Sequence, residues 1–92
     1  MSSSEIESLN FILSRLAQGL TEQDRNHFWT EEARFGILKY FENTKASISD
    51  GKKCPAINGL IRGLDAWGIS SGELFENCLA ANGKLRDAGH AE

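Results

Sequence analysis

The stretch from residue 64 to residue 79, LDAWGISSGELFENCL, carries the clearest local signals in this chain. A helical pattern ends at Gly68, and glycine is the usual residue just past a helix end. Ser70, followed three residues later by Glu73, predicts the capping box of a new helix. The stretch therefore predicts two helices joined by a tight turn.

This spacing resembles the hydrophobic-Gly-Ile-Ser-x-x-x-Leu core of bacterial DNA-binding helix-turn-helix proteins. By that resemblance, Gly68 would supply the turn, and Ile69 and Leu74 would hold the two helices together. It implies a helix-turn-helix-like pair at about residues 56–81 and, as a function, DNA binding by a dimer. The helix in the recognition position, residues 71–81, contains no Lys or Arg but two glutamates. This composition disfavours nucleic acid, because DNA affinity depends heavily on basic residues that neutralise phosphates.

Earlier in the chain, leucines at helical spacing predict a first helix that ends near Gly19. They are Leu9, Leu13, Leu16 and Leu20. Phe11 points away from this stripe, so it packs on a second neighbour or awaits a partner.

Residues 22–45 continue as helix, with a start at Thr21 and a break near Thr30, which is positioned to cap a fresh start. Two apolar stripes run along this segment. The first is Phe28, Phe35 and Leu38; the second is Trp29, Ala33, Ile37 and Tyr40. A helix that is apolar on two sides is normally buried at the centre of a bundle. The alternative is that the second stripe stays exposed and binds a partner.

Further along, a loop precedes Pro55, which is well placed at the first position of a helix. Asn82-Gly83 predicts a final helix stop. No strand pattern or internal repeat is present. The prediction is an all-α, compact bundle of four to five short helices, with one helical domain over residues 1–83 and a flexible tail over 84–92.

The composition is that of a globular protein: 92 residues, 40% hydrophobic, 25% charged, and a formal net charge of −3. No apolar run approaches the ~20 residues of a membrane span, and no signal-peptide core is present. We therefore expect a cytoplasmic protein that does not enter a membrane.

The sign of the charge is segregated along the chain. Residues 1–32 sum to −4, residues 33–63 to +4 and residues 64–92 to −3. The basic middle, which includes Lys52 and Lys53, is suited to a partner with an acidic patch. The alternative is that these lysines belong to a solvated loop.

Motifs for catalysis and cofactor binding are missing from the sequence: there is no phosphate loop, no HExxH, no GxSxG and no zinc-knuckle spacing. His27, with Asp24 and Glu31 at helical spacing, is a weak metal candidate, and a solvated face is the favoured interpretation. Cys54 lies beside two lysines and could have a lowered pKa, whereas Cys78 has the position of a core residue. We predict no enzyme and no cofactor.

The leading hypothesis is a small non-enzymatic protein that binds another protein, as inhibitors, immunity or antitoxin-like factors and adaptors do. The predicted contact residues are Phe11, Trp29, Arg34, Tyr40, Lys52 and Lys53. Trp, Tyr and Arg are the types enriched at interface hot spots. The alternatives are a dimeric helix-turn-helix regulator and a sensor with a pocket for a small ligand or lipid. A homodimer is compatible with the first two hypotheses.

Overall fold

The structure is a computed structural model that describes residues 4–54 and 59–90. Its helices are α1 (Ser4–Ala17), α2 (Glu22–Asn26), α3 (Glu31–Ser49), α4 (Leu60–Ala66) and α5 (Glu73–Asp87). These ranges contain no strand, so the predicted all-α bundle of four to five helices is confirmed. The helix start predicted at Pro55 lies outside the described residues. None of the described helices is long and apolar enough to cross a membrane.

Helix α1 lies between α3 and α5 and packs against both. It runs antiparallel to α3: Lys45 Nζ donates to Asn10 Oδ1 (2.9 Å) near one end, and Arg34 Nη1 donates to the Leu16 carbonyl (2.9 Å) near the other. The leucine periodicity of α1 explains this central place, because its apolar stripe meets both neighbours.

Helix α5 continues to Asp87, so the stop predicted at Asn82-Gly83 is wrong. Asn82 is buried, and its side chain accepts a hydrogen bond from the Tyr40 hydroxyl (2.9 Å). The side chain is therefore used in a contact between helices and does not cap the end of α5. Beyond the helix, the His90 carbonyl accepts a hydrogen bond from the Cys54 amide (2.8 Å). The flexibility predicted for residues 84–92 concerns motion and stays a prediction.

The core is one cluster of buried side chains contributed by four of the five helices and by the turns between them. Its members are Leu9, Ile12, Leu16, Trp29, Ala33, Ile37, Phe41, Cys54, Leu60, Leu64, Ile69, Leu74, Cys78, Ala81 and Leu85. Only α2 contributes no apolar residue, which makes it a short polar connector between α1 and α3.

The helix starts follow the sequence signals at two of three sites. Thr21 and Asp24 form the capping box of α2, and Thr30 caps α3 by accepting a hydrogen bond from the Ala33 amide (3.1 Å). The capping box predicted at Ser70 is wrong, because α5 begins after Gly72, which makes no side-chain cap and has a φ of +105°.

Four helices end in the same turn, a Schellman motif, in which the residue just after the cap adopts a left-handed backbone and the next amide bonds back into the helix. The left-handed residue is Gly51 after α3, Gly68 after α4 and Gly89 after α5, but Phe28 after α2. Glycine is the expected residue because it has no Cβ to clash with the backbone in this conformation.

Helices α3 and α4 meet at Gly36. A Cβ at this position would lie 2.6 Å from Cη2 of Trp67, so the indole packs where any other residue would have a side chain. Helix α4 thus packs on α3, whereas α5 packs on α1. The predicted turn at Gly68 is present, and Ile69 and Leu74 are buried as the helix-turn-helix spacing implies.

Candidate functional site

The second apolar stripe of the α2–α3 segment is core. Trp29 is 2% exposed, and Ala33 and Ile37 are buried beside it. Tyr40 is half-buried, and burial raises the pKa of its hydroxyl. In the stripe considered as a partner surface, Trp29 is therefore buried, and the Tyr40 hydroxyl already donates a hydrogen bond to Asn82. This agrees with the alternative that the stripe belongs to a buried central helix.

The first stripe is the exposed one. Phe28 is 66% exposed and Phe35 58% exposed, and Leu38 is half-buried. The helical break at Thr30 accounts for Phe28, because a turn and not a helix carries this residue. Helical periodicity that is continued through this break places Phe28 on the wrong face. The sequence signal that could have located Phe28 is Thr30: a helix cap at this position leaves only a short turn after α2, and Phe28 lies in that turn.

Phe11 is also exposed, at 58%, as its position opposite the leucine stripe predicts. Arg34 is half-buried and binds within the chain: its Nε donates to the Glu31 carboxylate (2.8 Å), and its Nη1 donates to the Leu16 carbonyl (2.9 Å). Arg34 thus stabilises the contact between the start of α3 and the end of α1, which is a structural role.

Lys52 and Lys53 lie exposed in the loop after α3, as predicted. The Lys53 ammonium donates to the Gly89 carbonyl, so it links this loop to the turn after α5. Their role in partner binding stays a prediction. They lie at the end of α3 opposite to Phe28, and 19 helical residues separate the two ends by about 28 Å.

Beside Phe28, the surface has a polar depression of about 690 Å³ between α2 and the start of α5. It is lined by Arg15, Thr21, Glu22, Gln23, Asp24, Asn26, His27 and Glu73. The exposed Phe28 follows His27, one of these lining residues, directly in the chain.

Asp24 forms the buried floor of the depression. Its Oδ2 accepts hydrogen bonds from Arg15 Nη2 (2.8 Å) and from the Thr21 amide (2.9 Å), and its Oδ1 lies 3.0 Å from the same guanidinium nitrogen. Burial alone would raise the pKa of Asp24, but the Thr21 amide and the Arg15 guanidinium together outweigh it and lower this pKa. The carboxylate is therefore held ionised and paired, which suits a structural role and not that of a proton acceptor.

His27 covers the start of α5. Its Nδ1 lies 3.0 Å from the Ser71 hydroxyl, and its Cγ would lie 2.8 Å from a Cβ at residue 72, which is glycine. A Ser–His pair is the beginning of a nucleophilic site, but activation also needs a group that orients the base. The Ser71–His27 contact joins the turn after α2 to the segment just before α5.

The three residues of the weak metal candidate are each engaged elsewhere. Asp24 pairs with Arg15, Glu31 with Arg34, and His27 with Ser71. In the described part of the chain, no three His, Cys, Asp or Glu side chains are grouped so that they could hold a metal ion.

Both cysteines are buried and unpaired. Burial raises the pKa of Cys54, whose thiol donates a hydrogen bond to the Thr44 carbonyl (3.5 Å). Burial also raises the pKa of Cys78 to about 12. The raised pKa of Cys54 is opposite in direction to the lowered pKa considered for it, because burial of the thiol disfavours the thiolate.

The geometry of α5 does not favour DNA readout. Its first turn exposes Glu73 and Glu76, and the Ser71 hydroxyl ahead of it is bonded to His27. The basic residues of α5, Lys84 and Arg86, lie in its last turn, at the far end from the position that would enter a groove.

This part of the molecule combines an acidic depression with an exposed phenylalanine, Phe28, at the residue after His27. Comparison of the chain with protein-family models, with curated proteins and with solved structures finds no match.

Proposed function

We propose that this chain is a small non-enzymatic protein that acts in the cytoplasm by binding another protein, as an inhibitor, immunity-type factor or adaptor does. Phe28 is the central contact. The observation that carries the proposal is the exposure of this aromatic side chain on a left-handed backbone.

The left-handed conformation destabilises a residue with a side chain by ~1–2 kcal/mol relative to the right-handed one. The three equivalent turns avoid this by using glycine. Phe28 leaves 66% of its surface in water, so its packing adds little that would offset the strain. Strained residues of this kind concentrate at functional sites, and large aromatic side chains supply much of the energy of protein interfaces.

The charges of the depression indicate the chemistry of the partner. Glu22 and Glu73 flank it, and within the described residues neither has an ion-pair partner. Arg15, the cation among the lining residues, is neutralised by Asp24. We expect the partner to offer an apolar socket for the ring with basic groups around it.

This expectation differs from the acidic partner suggested by Lys52 and Lys53, which lie at the opposite end of α3. Phe11 stands on yet another face, since it points away from the core side of α1. The contributions of these residues can therefore be separated by variants that change one surface at a time.

The test is affinity capture of the tagged full chain from a lysate of its source cells, with and without nuclease, followed by mass spectrometry. A protein that the wild type retains in stoichiometric amount is then purified and titrated against Phe28→Gly, Phe11→Ala and the Lys52→Glu/Lys53→Glu double variant. We expect Phe28→Gly to weaken binding at least 100-fold, as loss of a hot-spot aromatic does, while the variant remains folded.

Phe11→Ala is the comparison variant, because it removes a similarly exposed phenylalanine that lacks the left-handed backbone, so the two titrations show which exposed ring contributes more to binding. Unchanged affinity of the Phe28→Gly variant would contradict the proposal. Recovery of nucleic acid, or of proteins that vanish with nuclease, would contradict it in favour of the helix-turn-helix regulator.

A further inference from the structure

A second apolar surface lies between α1 and α3, apart from the depression beside Phe28. It is a groove of about 570 Å³. Its lining is Leu13, Ser14 and Ala17 from α1, with Leu38, Glu42, Lys45, Ala46 and Ser49 from α3. The proposed partner surface includes none of these residues.

Phe35 extends this lining along α3. At 100° per residue, Phe35 lies on the same face as Glu42 and Ala46, which follow it by seven and eleven positions. Its ring is 58% exposed, and the Lys39 ammonium lies 5.5 Å from the ring centroid. A protruding aromatic side chain and an apolar groove thus occupy the same outward face of one helix.

The order of residues on this face is self-complementary. Lys39 and Glu42 lie on either side of the midpoint of the face, and Phe35 and Ala46 lie equally far from that midpoint, one towards each end. A two-fold axis through the midpoint would place each Lys39 opposite Glu42 of the other copy. The same axis would place each Phe35 opposite Ala46 of the other copy, where the small side chain leaves room for the ring.

We infer that the outward face of α3 is a self-association surface, on which a second copy of this chain packs with its α3 antiparallel to the first. Each Phe35 enters the groove of the other copy beside Ala46, and two Lys39–Glu42 pairs cross the axis. The inference goes beyond the proposed function, because it concerns a different surface and a different partner.

Charge complementarity selects a second copy over a foreign segment. The groove is bordered by charges of both signs, Glu42 and Lys45, with Lys39 beside them. A strongly acidic or strongly basic partner would meet repulsion from one of these signs, whereas an antiparallel copy presents Glu42 to Lys39 and the uncharged Gly36 to Lys45. Because a helix pair buries a small area, we expect a dissociation constant in the micromolar range.

The experiment is sedimentation equilibrium of the full chain over a concentration series, with the single variants Lys39→Glu and Glu42→Lys. Each substitution turns the two attractive contacts of the dimer into two repulsive ones, so we expect the dissociation constant of each variant to rise tenfold or more. An equimolar mixture of the two variants restores opposite charges at both pairs, so a heterodimer should form with an affinity near that of the wild type.

Glu76→Lys makes the same charge change on α5, outside the groove, and should leave the dimer unaffected. Phe35→Ala should abolish self-association without loss of helicity, because this side chain is exposed. A wild type that stays monomeric throughout the series would overturn the inference, and so would a mixture of the charge variants that forms no heterodimer. Phe28→Gly should dimerise normally, so failure here is distinguishable from failure of the proposed partner surface.

Discussion

The turns that end α2 and α4 have nearly the same backbone but differ in one side chain. The left-handed residue has a φ of +74° in both turns, and it is Phe28 in one and Gly68 in the other. The residue that follows is buried in both, Trp29 at 2% exposure and Ile69 at 1%. In each turn the amide of this buried residue bonds back into the helix, at 3.2 Å and 3.0 Å respectively.

These two turns share the buried residue and differ in the left-handed one, so we infer that an apolar anchor just beyond the helix end can hold the preceding position at a positive φ with either side chain. The turn after α3 has no such anchor, since Lys52 is exposed, and it has glycine at the left-handed position. Glycine at that position favours stability. Phenylalanine there indicates a requirement other than folding.

The largest effect is expected from removing the anchors. Trp29→Ala should lower the free energy of unfolding by about 3–5 kcal/mol and Ile69→Ala by about 2–5 kcal/mol, because each leaves a cavity in the core. Urea denaturation of both variants measures this. Trp29→Phe serves as control: the indole nitrogen has no hydrogen-bond partner in the described structure, so no polar contact is lost. An alanine variant that keeps wild-type stability would show that the anchor does not hold the turn.

The next largest effect is expected at the residue whose backbone carbonyl accepts the hydrogen bond of the turn. This residue is Asp24 in the α2 turn and Leu64 in the α4 turn. Asp24→Asn should cost about 2 kcal/mol near neutral pH, since it breaks a charge-assisted bond to Arg15. Glu22→Gln, an exposed carboxylate in the same helix, is the control for loss of one negative charge.

The same carboxylate makes the α2 turn sensitive to acid. The pKa of Asp24 is lowered in the folded state. The stability that the ionised Asp24 contributes is therefore fully present above the carboxyl pKa of the unfolded chain, which is about 4. This stability is lost as the pH falls through the lower pKa that Asp24 has in the folded protein. Unfolding measured from neutral pH into acid should show this loss in the wild type, and the Asp24→Asn variant should show less of it.

Exchange of the left-handed residue comes third. Gly68→Phe should destabilise the protein by about 1 kcal/mol through backbone strain, partly offset by the lower flexibility of the unfolded chain. Apart from the two chain neighbours, no atom lies within 4 Å of the Cβ position there, so the added Cβ itself meets no steric clash. Thermal unfolding measures the change, and a loss well above this size would show that the two turns are not equivalent.

The smallest effect is the reverse exchange. Phe28→Gly should raise the stability by about 0.5 kcal/mol, because relief of strain exceeds the modest packing that the ring provides. The opposite signs expected for stability and for partner affinity separate a functional residue from a structural one. A destabilised Phe28→Gly variant would show that the ring supports the fold.

The regular parts of this fold follow from local sequence. The leucines of α1, the Thr21–Asp24 box, the Thr30 cap and the Gly68 turn each act through contacts within a few residues of the chain. Periodicity and capping rules describe such contacts, so these elements are predictable from the sequence.

The candidate site depends on contacts that local rules do not describe. Which of the two stripes faces the core depends on the position of α1, and Trp29 enters the core from the turn that follows the end of α2 at Asn26. The helix stop predicted at Asn82-Gly83 differs from the observed end of α5 because Asn82 binds a distant partner, Tyr40. The break predicted near Thr30 does not include Phe28, so the sequence pattern predicts neither its left-handed turn nor its exposed ring.

The central place of α1 has a consequence for the order of events during synthesis. The first of the described helices packs against the last, and the Cys54 amide binds the carbonyl of His90. Leu9, Ile12 and Leu16 are therefore left without their α5 neighbours until α5 has emerged from the ribosome. Contacts of such long sequence separation slow folding, so we expect the nascent chain to remain a substrate for chaperones until α5 has emerged.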